Sequence, residues 1–315
     1  MALCALILAH DKVGLTSRLT RRLQQDGVAC FIHIDARSDI EAFRQACLPF
    51  GARFLAERRR VFWGGFSMIE ATIDLAQEAL AQTDCSHFLL TSGDSYPLRG
   101  RAEIEAYLLR DFDFIDVEEF GPGDEFFGRI SNTYLPDTPA TSLRATVEHQ
   151  QRLLDADFFV ASDRARANYA MKQSHTFPWR YAKGSNWWCL RRETLARFLE
   201  LGRQADYVEW FRYSANPDEA FFNTLALNHC APSTLLPSPI FAIWDKAPRP
   251  YEFETLDDLT LLRATDKPFA RKFCGQCGPL LDQIDEGGAT KPIRFDWRRW
   301  FFLSRGVTAK PLRDR

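Results

Sequence analysis

The chain reads as an α/β protein with a mostly parallel, doubly wound sheet and helices on both faces. Three features predict this: short apolar runs alternate with amphipathic segments, polar residues gather just past the ends of those runs, and an irregular aromatic-rich stretch follows them. The first run, 2–9, is a buried strand and not a leader peptide, because no basic segment precedes it and it passes straight into His10-Asp11-Lys12. A helix follows over 15–25 through Leu15, Leu19 and Leu23, then a second strand over 28–34 that ends in His33-Ile34-Asp35. A weak strand at 52–55, a helix over 67–80 and a short strand at 87–90 continue the alternation, and Ser92-Gly93-Asp94-Ser95 comes next.

Ligands of such sheets bind beyond the carboxyl ends of the strands. The His10, Asp35 and Asp94 segments all fall there. None is a G-x-G-x-x-G or a P-loop, so neither a dinucleotide cofactor nor ATP is indicated. Asp35 is placed to hold a ribose or a base, and equally to be a turn aspartate.

With 315 residues, 46% hydrophobic and 26% charged, the chain is long enough for a large core. A net charge of −2 gives no general attraction to nucleic acid or an anionic membrane. No apolar run approaches the roughly 20 residues of a membrane helix. Eight cysteines, scattered except for Cys274-Gly-Gln-Cys277, suit a reducing compartment, and the C-x-x-C reads as a turn, a metal site or a redox pair.

The middle of the chain carries the chemistry. Trp63-Gly-Gly-Phe before Ser67 suggests a tight backbone turn that lets a ring approach, or a plain entry into a helix. Asp111-Phe112-Asp113 spells a D-x-D, but it opens a strand (112–117), whereas ligand positions lie past a strand's far end. The stretch 118–180 is irregular and aromatic, with one clear helix at 143–155, and suits recognition of a sugar ring or a docked partner. Lys183-Gly184-Ser185 leads into a strand at 187–190, and the glycine lets backbone approach a ligand while Lys183 offers a charge or is a solvated turn lysine.

Pro217-Asp218-Glu219 reads as a helix start, where the positive end of the helix favours an ionised carboxylate. Glu219 is then a fixed base, or Asp218 and Glu219 merely complement the dipole. A strand at 241–244 and a helix at 256–263 lead to two cations, Arg249 between prolines and Lys272 between aromatics, which form a diphosphate clamp or ordinary surface charge.

Five segments, Trp63-Gly-Gly-Phe-Ser-Met-Ile-Glu-Ala71, Ser92-Gly-Asp-Ser-Tyr-Pro-Leu98, Lys183-Gly-Ser-Asn-Trp-Trp188, Pro217-Asp-Glu-Ala-Phe-Phe222 and Phe269-Ala-Arg-Lys-Phe273, resemble the successive motifs of glycosyltransferase family 14. That family comprises core-2/I-branching N-acetylglucosaminyltransferases and peptide O-xylosyltransferases. The resemblance implies a GT-A-type fold, a UDP-sugar donor, inversion at the anomeric carbon and no required metal or other cofactor. It implies Glu219 as general base and Lys272 on the diphosphate, with Arg249 beside it by ungapped counting. His10, Asp35, Lys183, Gly184 and Ser185 are then expected on the donor side, and Trp63, Asp94, Tyr96, Trp187 and Asp218 on the acceptor side.

On this view 1–275 form one domain, with a nucleotide-binding half (1–117) and an acceptor and catalytic half (118–275), and 276–315 form a basic and aromatic extension. The family pattern is Ser-Gly-x-Asp-Tyr-Pro, whereas here Asp94 comes one residue early and Ser95 takes its place. With no anchor, the chain is expected to act as a bacterial relative at the cytoplasmic side of a membrane. Its acceptor is expected to be a glycan or lipid-linked glycan. Residues 295–305, with five aromatics and three arginines, offer a peripheral membrane contact or a core-packing tail. Two other readings stay open: a glycan-binding scaffold without turnover, and a metal-dependent transferase using Asp111 and Asp113.

Overall fold

The computed structural model describes residues 3–108, 111–134, 137, 163–174, 176–244, 249–287 and 289. The expected helix at 143–155 and the segment 295–305 lie outside them. The chain opens with β1 (Leu3–Ala9), α1 (Val13–Gln25), β2 (Ala29–Ile34), α2 (Ile40–Cys47) and β3 (Arg53–Phe54). Then come α3 (Ser67–Gln82), β4 (His87–Ser92), β5 (Ser95–Pro97), α4 (Arg101–Leu108), β6 (Asp113–Phe114) and β7 (Glu118–Phe120). The middle holds α5 (Phe127–Ser131), α6 (Asp163–Ser174), β8 (Tyr181–Lys183), β9 (Cys189–Arg191), α7 (Arg192–Leu201), α8 (Ala205–Arg212) and α9 (Phe221–His229). The chain continues through β10 (Leu235–Leu236), β11 (Ile240–Phe241), α10 (Leu259–Ala264), β12 (Phe269–Arg271) and α11 (Gly278–Asp285).

Seven strands form the main sheet in the order β10-β6-β9-β4-β1-β2-β3. All neighbours run parallel except β9, which is antiparallel to both β4 and β6. β1 is apolar throughout because it is central and covered on both faces. Its alternation shows this directly: Leu3, Ala5 and Ile7 pack with α1, α2 and α11, whereas Cys4 and Leu6 pack with α3 and α7. The doubly wound expectation therefore stands. A three-stranded sheet, β11-β12-β5, and the β7-β8 ribbon extend the carboxyl-end side.

Two boundaries differ from the sequence reading. The strand expected over 112–117 is shorter, β6 alone, with Ile115 N still donating to Leu236 O of β10 at 2.8 Å, and the chain then turns to pair β7 with β8 in a separate ribbon. The domain also does not stop at 275. Leu280, Leu281 and Ile284 of α11 are buried in the core beside α1, Asp285 takes Arg18 at 2.6 Å and the Tyr96 hydroxyl at 2.9 Å, and Arg99 donates to the carbonyls of Thr265 and Ala289. Among the described residues, no helix is long and apolar enough to cross a membrane.

Asp113 is fully buried. Its carboxylate accepts from Arg191 N at 2.8 Å, from the Arg191 guanidinium at 2.8 Å and from Thr194 Oγ1 at 2.8 Å. These bonds tie β6 to β9 and α7 and commit the Asp113 carboxylate to Arg191. Replacing Asp113 by Ala strands the Arg191 charge and should cost about 3–5 kcal/mol, read as a lower urea midpoint at unchanged slope.

Candidate functional site

The carboxyl ends of β1, β2 and β4 meet the beginning of β9 along one edge of the sheet. Backbone bonds lock that edge: Gly93 N donates to Leu8 O at 2.9 Å and Asp35 N to Ala9 O at 3.0 Å. A Cβ on Gly93 would collide with Thr16 Oγ1 and Ala9 Cβ, so glycine is required where the β4 turn crosses α1.

The cations gather beyond β1 and β4. Lys272 Nζ lies 3.6 Å from Asp94 Oδ2 and 3.4 Å from Glu252 Oε1, and the Arg271 guanidinium lies 3.6 Å from Asp94 Oδ1. Lys12 Nζ donates to Phe273 O at 2.8 Å and stands 3.7 Å from Glu252. Arg271 sits over the Trp187 ring at 4.8 Å and reaches Ser92 Oγ at 3.3 Å, so its plane is held by a cation–π contact. Arg271, Lys12 and Glu252 were not singled out from sequence, although Arg271 stands inside the Phe-Ala-Arg-Lys-Phe motif. Arg249 is exposed and lies four residues before Phe253, which bridges to Phe273 beside Lys272; the ion pairs of the cluster described above do not include it.

The carboxylate lies across the segment 183–187. Gly184 N donates to the carbonyl of Glu219 at 2.9 Å, and the same segment ends at Trp187, under Arg271. A Cβ on Gly184 would lie 2.6 Å from Asp116 O and 2.7 Å from Asn223 Nδ2, so only glycine allows this approach. Asp116, two residues past β6, accepts from Ser185 N at 3.4 Å and Ser238 N at 2.9 Å, and its carbonyl accepts Asn223 Nδ2 at 2.7 Å.

Pro217–Glu219 is a 3-10 turn and not the first turn of an α-helix. Asn216 adopts a left-handed conformation (φ 50°), which Asn tolerates, and α9 starts only after Ala220. The helix-dipole argument for Glu219 therefore gives way to two local effects: burial raises its carboxyl above the ordinary value, and Arg129, 3.6 Å away, opposes that. Glu219 remains 34% exposed at its side chain. Arg129 comes from α5, and the Lys172 ammonium braces the end of that helix through the carbonyls of Ile130 and Asn132, both at 2.8 Å. Asp218 is buried, and among the described residues its Oδ1 has no hydrogen-bond partner. Burial first, then the neighbouring Glu219, push its carboxyl up to about 7.

Asn216 N donates to Gly64 O at 2.9 Å, which places the loop of Trp63 beside the turn of Glu219. Trp63 is 60% exposed. Glu70 fixes this corner by pairing with Arg59 at 3.1 Å and Arg212 at 3.0 Å.

The remaining expected residues are placed differently. Tyr96 is fully buried, with its hydroxyl on Asp285 and Arg18, because β5 pairs with β12 and turns this ring toward α1 and α11; it cannot touch an acceptor. Asp94 faces the two cations and not the Trp63 side. Lys183 is committed to Asp124 at 2.8 Å and Glu118 at 3.4 Å, and the bond to Asp124 raises its pKa. The Asp35 carboxylate is taken by Arg37 and Val61 N, so a ribose there has to displace Arg37. Ser185 Oγ accepts Trp187 N at 3.2 Å, and His10 is exposed. The C-x-x-C is a turn in which Cys277 Sγ donates to Cys274 O at 2.9 Å.

A profile of the family described as Core-2/I-Branching enzyme matches residues 6–261. The chain belongs to that family. Mouse xyloside xylosyltransferase 1, in its apo form, is similar at 11% identity over 75% of this chain and 85% of that one, with a TM-score of 0.33. S. aureus TarS 1–349 in complex with UDP-GlcNAc is similar at 12% identity and a TM-score of 0.24; 50% of this chain is covered, and it spans 47% of that one, under half its length. No curated protein sequence matches the chain.

The orphaned Asp218 carboxylate leaves a mark on stability. Its carboxyl ionises near 3.8 when unfolded and near 7 when folded, so the folded state holds the extra proton between those values and loses stability as pH rises through them. Asp218→Asn removes this dependence. The stability of the variant relative to wild type should grow from pH 4 to pH 8, as followed by urea denaturation, and a flat difference contradicts the assignment.

Proposed function

We propose that this member of the core-2/I-branching family is an inverting glycosyltransferase that moves a sugar, GlcNAc or xylose, from a UDP-sugar to a hydroxyl of a glycan or glycoconjugate. One observation carries the reading: the cation cluster past β1 and β4 is joined by the five residues 183–187 to the turn that carries Glu219. A base and a positive site for a leaving diphosphate thus stand on one edge of the sheet, held by the same backbone.

In this reading Glu219 takes the proton of the acceptor hydroxyl. The acceptor oxygen then bonds to the anomeric carbon from the face opposite UDP, and the bond from that carbon to the diphosphate oxygen breaks, releasing UDP. Lys272 and Arg271 meet the charge that develops on the departing diphosphate, a role a divalent metal serves in other transferases. Arg129 favours the ionised Glu219 that the proton transfer requires. The exposed Trp63, in the loop that Asn216 N ties to the turn of Glu219, offers an apolar face to the acceptor ring. Lys12 adds a third charge at the end of β1, and this takes over the donor-side place that the sequence reading gave to Lys183. Because fixed Arg and Lys supply the charge, transfer is proposed to need no metal.

A UDP-release assay over a panel of UDP-sugars, run with and without EDTA, tests the reading. Wild type should release UDP with one donor in the presence of EDTA. Glu219→Gln should bind UDP as wild type does and lose transfer, and Lys272→Ala should lose about 10²–10³ in turnover. Substantial transfer by Glu219→Gln removes the base assignment, and loss of activity in EDTA removes metal independence.

A further inference from the structure

Asp94 stands beside the two cations that a diphosphate would use, and it is fixed there. Its carboxylate is 7% exposed, Ser92 Oγ donates to Oδ1 at 2.5 Å, and its own carbonyl accepts Phe273 N at 2.9 Å. Each of its oxygens faces a different cation, Arg271 at Oδ1 and Lys272 at Oδ2, both at 3.6 Å. These separations exceed the roughly 2.7–2.9 Å of a charge-assisted hydrogen bond, so both cations keep donors to spare for a phosphate oxygen. Glu252 is different. It pairs with Lys272 at 3.4 Å and Lys12 at 3.7 Å, but its side chain is 44% exposed and can swing into water.

We propose that Asp94 is a fixed competitor of the donor's diphosphate: it holds Arg271 and Lys272 in place, lowers the affinity for UDP, and speeds the release of UDP after transfer. The inference rests on the donor reading given above. A diphosphate that binds here must share its two cations with a neighbouring carboxylate, and like charges at close quarters cost binding. Among the described residues, the cluster sets three cations, Lys12, Arg271 and Lys272, against two carboxylates, so little net positive charge faces a dianionic group until Glu252 moves away. Free UDP carries more charge on its diphosphate than the esterified donor does. The repulsion therefore falls harder on the product than on the substrate, which favours turnover over product retention.

Isothermal titration of UDP and of UMP into wild type, Asp94→Asn and Glu252→Gln, at two ionic strengths, tests it, with thermal melts to confirm folding. Asp94→Asn should bind UDP about tenfold more tightly, with a smaller gain for UMP, which lacks the second phosphate. Its turnover should fall while single-turnover transfer is kept, because UDP release becomes limiting. Glu252→Gln should change UDP affinity by less than the Asp94 variant. If Asp94→Asn is unfolded, Asp94→Ser gives the same readout with less bulk. Unchanged or weaker UDP binding by a folded Asp94 variant overturns the proposal and makes the residue a plain support for the cations. No UDP binding by wild type overturns the donor reading instead.

Discussion

The bond from Gly184 N–H to the carbonyl of Glu219 is the contact on which the arrangement depends. It joins two segments far apart in sequence, and it forms only because position 184 has no side chain. From there the backbone needs three residues to reach Trp187, whose ring carries Arg271. An acid and a cation pair are thus spaced by a short stretch of fixed backbone and not by flexible side chains. Preorganisation of this kind is what electrostatic catalysis requires, since groups that are already in place need no reorganisation as charge develops.

The same spacing keeps the charges from cancelling. Glu219 answers to Arg129 on its own side, and the cations answer to Asp94 and Glu252 on theirs. Had Glu219 paired with Lys272, neither would be available to a substrate. The fold achieves the separation by using opposite ends of the 183–187 crossing, with Asp116 pinning its middle through Ser185. Asp116 needs no contact with a ligand to matter here, because it sets the height at which Gly184 passes over the turn.

Much of this was legible in the sequence. The core strands are apolar on both faces and short, so β1, β2 and β4 announce themselves, and the rule that ligands gather past strand ends pointed to the edge where the cation cluster stands. The glycine at 184 and the Pro-Asp-Glu turn also carry local signals. Less visible were features set by long-range pairing. Tyr96 looks like a site residue beside Asp94, but strand alternation in β5 sends its ring into the core. Lys183 looks like a ligand lysine until β7 brings Glu118 alongside. Arg271 looks like a strand residue until the segment leading into β9 delivers Trp187 beneath it. The 3-10 turn at 217–219 looks like a helix start because Pro followed by two acids suits both, and only the left-handed Asn216 decides between them.

The adjacent carboxylates of that turn complete the electrostatic argument. Two ionised groups on neighbouring residues, both drawn out of water, repel each other, so one must yield. Asp218 is the more deeply buried, has an oxygen with no partner and has no cation near it among the described contacts; burial therefore keeps its proton up to about 7. Glu219 is the more exposed and has Arg129 beside it. The two environments thus divide the pair: burial favours the proton on Asp218, and Arg129 favours the negative charge on Glu219, the member that faces outward. That division is set by the fold and not by the local sequence, because Arg129 arrives from α5, far from Glu219 along the chain.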